Sequence, residues 1–234
     1  YRVWQTDLAV TYAMLRDSLI SAGLTATEVL AEGGAWSGPT RFSPDGRYLV
    51  YHRSDWRRPD MAVILDLESH REHDVRRQDV SANYAWLPGG DLLTAQPEVR
   101  ETYRSYSDLW RIRPDGHAQQ LTHGARLEDP DVCLHTGEAI AVENGRGTTR
   151  LALVNLAEGR VIRRLPSSPE VVWAHPRWSP GGSRIAAERL SGGNRDIVVL
   201  DRDGSVRVEI TGDRACDAYP AWSPDGRFVI FASD

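Results

Sequence analysis

The stretch Ala221-Trp222-Ser223-Pro224-Asp225-Gly226, followed by the strand-forming run 227–231, decides the fold because close copies of it recur along the chain. Three further copies begin at Arg41, Ala85 and Arg177, and a degraded copy runs through 132–142. Their closing glycines stand at positions 46, 90, 137, 182 and 226, which gives steps of 44, 47, 45 and 44 residues. A regular period of this size is typical of a protein built from repeated structural units.

Each copy predicts a β-hairpin, because proline presets the first turn position and aspartate and glycine suit the later ones. Two more strands follow in each repeat, separated by turns such as those at 113–116 and 201–204. Four antiparallel strands in each 44–47 residues predict one blade of a β-propeller. In the degraded copy Cys133 stands in place of the aromatic residue, which we interpret as a decayed hairpin with a smaller inner residue.

These features resemble the TolB-type, WD40-like propeller repeat. The resemblance rests on the Trp-Ser-Pro-(Asp/Gly)-Gly block, on an aspartate that opens the third strand (Asp108 and Asp196), and on the Gln-Leu-Thr-His-Gly ending at 120–124. It covers about residues 25–234 and matches turn and core positions. It therefore implies an all-β propeller of four-stranded antiparallel blades, in a bacterial protein located in the periplasm or outside the cell.

Residues 2–22 follow a different pattern, with Trp4, Leu8, Tyr12, Leu15 and Leu19 at helical spacing and Gly23 as a helix stop. We predict a linker helix over 1–24 and a propeller over 25–234, with blades starting near 39, 83, 130, 175 and 219. The last blade stops after its second strand, and a strand at 25–33 is available as its outermost one. We therefore expect four complete blades and a partial fifth, belonging to a larger ring with missing blades or flanking domains.

Composition excludes several classes of protein. The 33 acidic and 28 basic residues give a net charge of -5, so no nucleic acid or anionic membrane is attracted by the chain as a whole. No stretch approaches the roughly 18 apolar residues that a membrane-spanning helix needs. Cys133 and Cys216 are the two cysteines, too few for a disulfide scaffold.

No catalytic, metal or cofactor site can be picked out from the sequence. A His-Glu-x-x-His zinc motif, a Gly-x-Ser-x-Gly nucleophile and a phosphate-binding glycine loop are all missing. The histidines His52, His123 and His175 have no visible partners. We therefore predict no catalytic residues, no metal and no cofactor.

A binding surface is predicted on one face of the propeller. Because strands alternate in direction, the Ser-Pro-Asp-Gly turns share one face and the longer connections share the other. Exposed arginine with tyrosine and tryptophan is the composition of interface anchors. The predicted partner-binding residues on this long-loop face are Trp56, Arg57, Arg58, Arg100, Tyr103, Arg104, Tyr106, Arg126, Trp173 and Arg214. The alternative is that these residues merely cover blade edges and pair with acidic residues.

The sequence is compatible with three different functions. The first is a non-enzymatic interaction module that docks a protein or peptide on the long-loop face. The second is an accessory propeller that gates substrate for a larger peptidase or hydrolase whose catalytic domain lies outside this chain. The third is a propeller that is itself a glycosidase or lyase, which would need acidic and basic groups converging in the central channel.

Overall fold

The computed structural model describes residues 12–23, 30, 36–37, 40–55, 58–77, 83–100, 104–145 and 147–234. The chain divides into two compact units, residues 1–33 and 34–234. In the first unit a helix, α1, spans Ala13–Ala22. It ends at Gly23, which has a φ of 80° and donates its N–H to the carbonyl of Ile20 over 3.2 Å. The first half of the predicted helix and most of the predicted strand at 25–33 lie outside the described residues.

The described part of the second unit consists of antiparallel sheets that follow one another along the chain. The first sheet contains β1 (Trp36–Ser37), β2 (Arg41–Phe42), β3 (Tyr48–Asp55), β4 (Arg58–Asp66) and β5 (Arg71–Arg77), and both β1 and β2 pair with β3. The second contains β6 (Tyr84–Trp86), β7 (Leu92–Arg100), β8 (Arg104–Ile112) and β9 (Ala118–Gln120). The third contains β10 (Leu127–Val132), β11 (Glu138–Asn144), β12 (Thr149–Asn155) and β13 (Arg160–Arg164). The fourth contains β14 (Val172–Trp178), β15 (Arg184–Ser191), β16 (Asn194–Asp201) and β17 (Val206–Glu209), and a hairpin of β18 (Ala218–Trp222) and β19 (Val229–Ala232) follows.

In these sheets strands that are consecutive in the chain pair with one another, apart from β1 and β2, which both pair with β3. This meander is the arrangement of a propeller blade. The predicted all-β fold of four-stranded antiparallel blades is thereby confirmed. We number the sheets as blades 1 to 5 and call β2, β6, β10, β14 and β18 the inner strands. The division into domains at residue 24 stays a prediction.

The apolar core lies between neighbouring blades. In β11, Ala139 and Ala141 pack with Leu93 of blade 2, whereas Ile140 packs with Ile185 of blade 4. Successive residues of a strand point to opposite faces, so a strand that is buried on both faces needs a continuous apolar run. That requirement explains the apolar runs that follow each turn in the sequence.

The Ser-Pro-Asp-Gly turns are held by their own side chains. In blade 1 the Ser43 hydroxyl donates to Asp45 over 2.5 Å and accepts the backbone N–H of Tyr48 over 2.8 Å. In blade 5 Ser223 makes the same pair of bonds, to Asp225 over 2.6 Å and from Phe228 over 3.0 Å. The turn motif is therefore a structural device, and each serine closes one hairpin.

The degraded third copy differs in its turn and not in its strand. Val132 pairs with Ala139 as Trp178 pairs with Ile185, so Val132 occupies the position of the aromatic residue. Cys133 takes the position of the turn serine and donates its N–H to the carbonyl of Glu138. The assignment of Cys133 to the aromatic position is wrong, because Gly137 closes this turn one residue later than the other turns close, by a bond to the carbonyl of Cys133.

The aspartate that opens the third strand of blade 2 is also structural. Asp108 is fully buried and accepts hydrogen bonds from the Thr122 hydroxyl over 2.9 Å and from the backbone N–H groups of Gly124 and Ala125 over 2.7 and 2.8 Å. Thr122 in turn accepts the N–H of Leu109 over 2.9 Å. Asp108 therefore fastens the link between blades 2 and 3 to the third strand of blade 2.

Candidate functional site

Three of the inner strands carry the same irregularity. The pairing of β10, β14 and β18 with the next strand is interrupted in each case by a register shift. Within each shift one residue has a positive φ: Asp129 at 47°, His175 at 45° and Tyr219 at 57°. Residues other than glycine rarely adopt this conformation, and where they do the strain is often tied to function.

Proline follows each of these strained residues, at Pro130, Pro176 and Pro220. Proline has no N–H to donate to a strand ladder, so it is tolerated in a sheet mainly at edges and bulges. The shared proline explains why the interruption recurs at the same place in blades 3, 4 and 5. Blade 2 lacks this proline, and β6 pairs with β7 without a shift.

The strained residues meet across the blade boundaries. The His175 Nδ1 lies 2.7 Å from Glu188 Oε1, and its Nε2 lies 3.7 Å from Asp129 Oδ2. The imidazole packs on the Tyr219 ring with centroids 4.6 Å apart, and the Tyr219 N–H donates to Glu188 over 2.5 Å. Asp129 also accepts a hydrogen bond from the Asn83 amide of blade 2. Four blades therefore contribute to one polar cluster.

This cluster favours the protonated form of His175. Burial lowers the pKa of His175, but the hydrogen bond with Glu188 and the negative charges of Asp129 and Glu188 outweigh it, so the pKa is raised above its ordinary value. Glu188 is only 2% exposed, so its buried carboxylate depends on His175 and on the Tyr219 N–H for compensating hydrogen bonds. The prediction that His175 has no partner is wrong, because its partners lie 13 and 46 positions away in the sequence.

A second row of charged residues lies two positions further along the inner strands. Asp131 accepts the backbone N–H of Trp178 over 2.7 Å and faces Arg41 of blade 1. Burial raises the pKa of Asp131 to about 6, against the opposing effects of the Arg41 charge and the Trp178 N–H. Burial likewise lowers the pKa of Arg41, although Asp131 and Asp129 counteract it. Arg177, the third member of the row, is only 5% exposed.

These residues border a cavity of about 870 Å³. Its walls come from the inner strands of blades 1, 3, 4 and 5 and from the turns that follow three of those strands. The lining includes Arg41, Phe42, Pro44, Asp131, Leu134, Arg177, Trp178, Pro180, Tyr219 and Trp222. The turn residues Pro44, Leu134 and Pro180 place the cavity toward the Ser-Pro-Asp-Gly side of the blades, opposite the predicted long-loop face.

The predicted long-loop residues lie in three settings. Trp56, Arg57 and Tyr103 lie outside the described residues. Arg58, Arg100 and Arg104 are placed by their backbone at the ends of β4, β7 and β8. Tyr106 is half-buried in β8, and the Arg126 guanidinium lies 5.6 Å from the centre of its ring. Arg214 is exposed in the link before β18.

Trp173 requires a correction of its placement. The sequence predicts an exposed position for it in a loop between blades, but Trp173 lies within β14 and is only 6% exposed. Its indole N–H donates to Ser167 over 2.9 Å, and its ring belongs to the core between blades 3 and 4. The inner strand begins earlier than the sequence suggested because β14 extends beyond the bulge at His175.

Other chemical features of the described residues are few. Both cysteines are free thiols, Cys133 buried and Cys216 exposed. No group of three or more potential metal ligands occurs in the part of the chain that the structure describes. Within the same residues, no helix has the length and apolar character needed to cross a membrane.

The meandering blades and the cavity between their inner strands define this chain as a β-propeller. Its fold is that of the TolB-type propellers. TolB from Acinetobacter baumannii superposes with a TM-score of 0.65 at 15% identity, over 82% of this chain and 47% of that one. Puromycin hydrolase superposes with a TM-score of 0.54 at 20% identity, over 86% of this chain and 33% of that one.

Sequence comparison points to the same type of propeller. A protein TolB homolog from Chlorobium luteolum is 27% identical over 119 residues, a match that covers 50% of this chain. The match covers 26% of the homolog, so the chain spans about a quarter of the length of this curated relative. No family model matches the chain.

Proposed function

We propose that this chain is a non-catalytic binding propeller that holds a peptide segment of a partner protein in the cavity between its inner strands. The observation that carries the proposal is the lining of that cavity, in which Phe42, Trp178, Tyr219 and Trp222 stand beside Arg41 and Arg177. Aromatic residues and arginine are the residue types that contribute most to binding energy at protein interfaces. The volume of about 870 Å³ is also within the usual range of ligand sites.

The cavity is accessible as well as suitably lined. Phe42 is 60% exposed and Tyr219 is 54% exposed, so two of the aromatic side chains that line the cavity are accessible to a ligand. Exposed apolar surface beside a concave site is typical of interaction sites. We propose no nucleic-acid partner and no membrane insertion, and the resemblance to TolB supports a bacterial location in the periplasm or outside the cell.

The long-loop face is the second candidate for the binding surface. There the Arg126 guanidinium stacks on Tyr106, close to the hairpin that joins β7 and β8. The cavity is the stronger candidate because residues of four blades converge on it, whereas the described part of the long-loop face offers this pair and the exposed Arg214.

Two phenylalanines allow a matched test. Phe42 and Phe228 are each 60% exposed and each precedes or follows a Ser-Pro-Asp-Gly turn, but Phe42 lines the cavity and Phe228 does not. Peptides would be selected from a random displayed library on the immobilised chain, and their affinities measured by fluorescence anisotropy. We expect Phe42→Ser to weaken binding about tenfold through lost apolar contact, and Phe228→Ser to leave it unchanged.

A third variant separates the two surfaces. If Arg104→Ala with Tyr106→Ala weakens peptide binding at an unchanged melting temperature while Phe42→Ser does not, the site lies on the long-loop face and the cavity proposal is wrong. If none of the variants differs from the wild-type chain, neither surface is the binding site.

The alternative function is that of a substrate-gating propeller in a larger peptidase or hydrolase. The superposition on puromycin hydrolase favours it, since this chain covers 33% of that enzyme. The full gene sequence discriminates the two functions. A His-Glu-x-x-His motif upstream or a Gly-x-Ser-x-Gly motif downstream would favour the hydrolase and contradict the role of a pure interaction module.

A further inference from the structure

Arg177 is a buried cation whose hydrogen-bonding capacity is mostly unused. Its Nη1 donates to the carbonyl of Pro176 over 2.6 Å. Its Nε and Nη2 have no acceptor in the part of the chain that the structure describes, although the residue is only 5% exposed. A buried charge with unmet donors is strongly unfavourable, so an acceptor from outside the chain would stabilise it.

The unused donors form the edge of the guanidinium that binds a carboxylate with two parallel bonds. Arg164 shows this geometry elsewhere in the chain, where its Nε and Nη2 each donate to a different oxygen of Glu143 over 2.7 Å. Such paired, charge-assisted bonds are among the strongest that an arginine makes. Arg177 has the same pair of donors, but no carboxylate of the described residues accepts from them.

The two acids of the neighbouring inner strand β10 are already engaged. Asp131 accepts the N–H of Trp178 and faces Arg41, while Asp129 lies against His175 and Asn83. Arg41 also has an Nε without an acceptor among the described residues, and it lines the same cavity. Arg177 and Arg41 therefore both line the cavity with donors that no described acceptor uses. These donors are buried, so a ligand in the cavity reaches them when the guanidinium turns toward it.

We propose that this cavity is a carboxylate-binding site, in which the Nε and Nη2 of Arg177 bind both oxygens of a ligand carboxylate and Arg41 supplies a further donor. This assignment rests on the proposed function and names the chemistry that the site recognises. Trp178 and Trp222 line the cavity and cover the apolar atoms that carry the carboxylate. The carboxylate can belong to an acidic side chain, to a peptide C-terminus or to a free organic acid.

The first test uses the wild-type chain and pairs of probes that differ only in charge. The peptide acetyl-Ala-Ala-Ala with a free C-terminus is compared with its C-terminal amide, and succinate with succinamide. A third pair compares acetyl-Ala-Glu-Ala-amide, which presents a side-chain carboxylate, with acetyl-Ala-Gln-Ala-amide. Binding is followed by the fluorescence of the cavity tryptophans, with calorimetry as confirmation. We expect each acid to bind about tenfold or more tightly than its amide.

The three acids distinguish the sources of the carboxylate. Preference for the free C-terminus, for the glutamate peptide or for succinate assigns the site to a chain end, a side chain or an organic acid, and each supports the proposal. Equal binding of acid and amide overturns it, and so does tighter binding of inorganic phosphate than of any carboxylate.

The second test assigns the binding to Arg177. Arg177→Gln should lower the affinity for the preferred acid about tenfold to a hundredfold, because it removes the charge and the paired donors. Arg177→Lys should fail similarly, since a lysine keeps the charge but lacks the planar fork. Arg164→Gln is the matched control and should bind as the wild-type chain does. Unchanged affinity in Arg177→Gln overturns the assignment.

The outcomes also separate this inference from the proposed function. If selected peptides bind and depend on Phe42 but are indifferent to Arg177 and to charge, the cavity binds peptides without carboxylate recognition. If succinate binds and no peptide does, the carboxylate site stands and the proposed peptide function falls. The comparison of acids with amides on the wild-type chain tests carboxylate recognition even if the arginine variants fail to fold.

Discussion

The turns of the blades and the bulges of the inner strands are both products of the repeat, yet they differ in what the repeat preserves. The turns of blades 1 and 5 have the same residues and the same hydrogen bonds, with Ser43 and Ser223 in identical roles. The bulges of blades 3, 4 and 5 have the same backbone shape but carry Asp129, His175 and Tyr219. At the bulges the backbone conformation is repeated, whereas the side chain differs from blade to blade.

This difference distinguishes residues that stabilise the fold from residues that are available for binding. A side chain that recurs in each blade can only meet a need that every blade has, such as closing a turn. A side chain that differs at equivalent positions can meet one need of the whole ring, because the inner strands face the same channel. The comparison predicts that repeated residues stabilise the fold, whereas the residues lining the cavity stabilise it little or weaken it.

The largest effect is expected at a repeated residue. Replacing Asp108 with alanine removes the acceptor of the hydrogen bonds from Thr122, Gly124 and Ala125, so the half-buried N–H groups of Gly124 and Ala125 lose their partner. We expect the free energy of unfolding to fall by about 3 kcal/mol, measured by urea denaturation. Asp115→Ala is the control, because Asp115 is exposed and accepts a single backbone bond from His117. A similar small loss in both variants would contradict the structural role of Asp108.

The next effect concerns a residue of the cavity and depends on pH. Burial raises the pKa of Asp131 to about 6, whereas the carboxyl of the unfolded chain titrates near 4. Between these values the folded state holds a proton that the unfolded state has lost, so the contribution of Asp131 to stability falls as pH rises from about 4 to 6. Asp131→Asn should remove this slope and gain on the order of 1–3 kcal/mol over the wild-type chain across that window.

His175 provides the comparison for that measurement. Its raised pKa means that its contribution to stability is present below the ordinary histidine value of about 6.5 and is lost as pH rises through the folded-state value. His175→Gln should therefore change the slope above pH 6.5 and leave the slope from about 4 to 6 intact. Coinciding slopes in wild-type and Asp131→Asn chains, obtained from urea titrations at each pH, would contradict the role given to Asp131.

The fold could be predicted in detail from one sequence because its information is local and repeated. Turn residues and apolar runs recur every 44 to 47 positions, and each copy carries its own hydrogen-bonding partners within five residues. The position of Cys133 was predicted wrongly because the third turn is longer by one residue, which shifts its glycine. The pairing of Val132 with Ala139 shows the register of this copy.

The cavity could not be predicted because its partners come from different blades. His175 is 46 positions from Asp129 and 13 from Glu188, and no local pattern marks such pairs. One signal was present in the sequence, namely a proline after Asp129, after His175 and after Tyr219, at steps of 46 and 44. A proline repeated inside a predicted inner strand indicates a bulge, and the residue before it is then a candidate for the channel.

The smallest expected effect has the opposite sign and is the sharpest test of the comparison. Arg177→Met keeps an unbranched apolar stem but removes a buried charge whose Nε and Nη2 have no acceptor among the described residues. Replacing a buried, poorly compensated charge with an apolar residue is often neutral or stabilising, so we expect the free energy of unfolding to rise by about 1 kcal/mol. Arg164→Met, which breaks the exposed pair with Glu143, should lower it by about 0.5 kcal/mol. A gain in stability together with lost carboxylate binding would show that Arg177 is kept for its ligand at the expense of the fold. A loss as large as that of Asp108→Ala would instead make Arg177 a structural residue like those of the repeat, and the division between repeated and functional positions would fail.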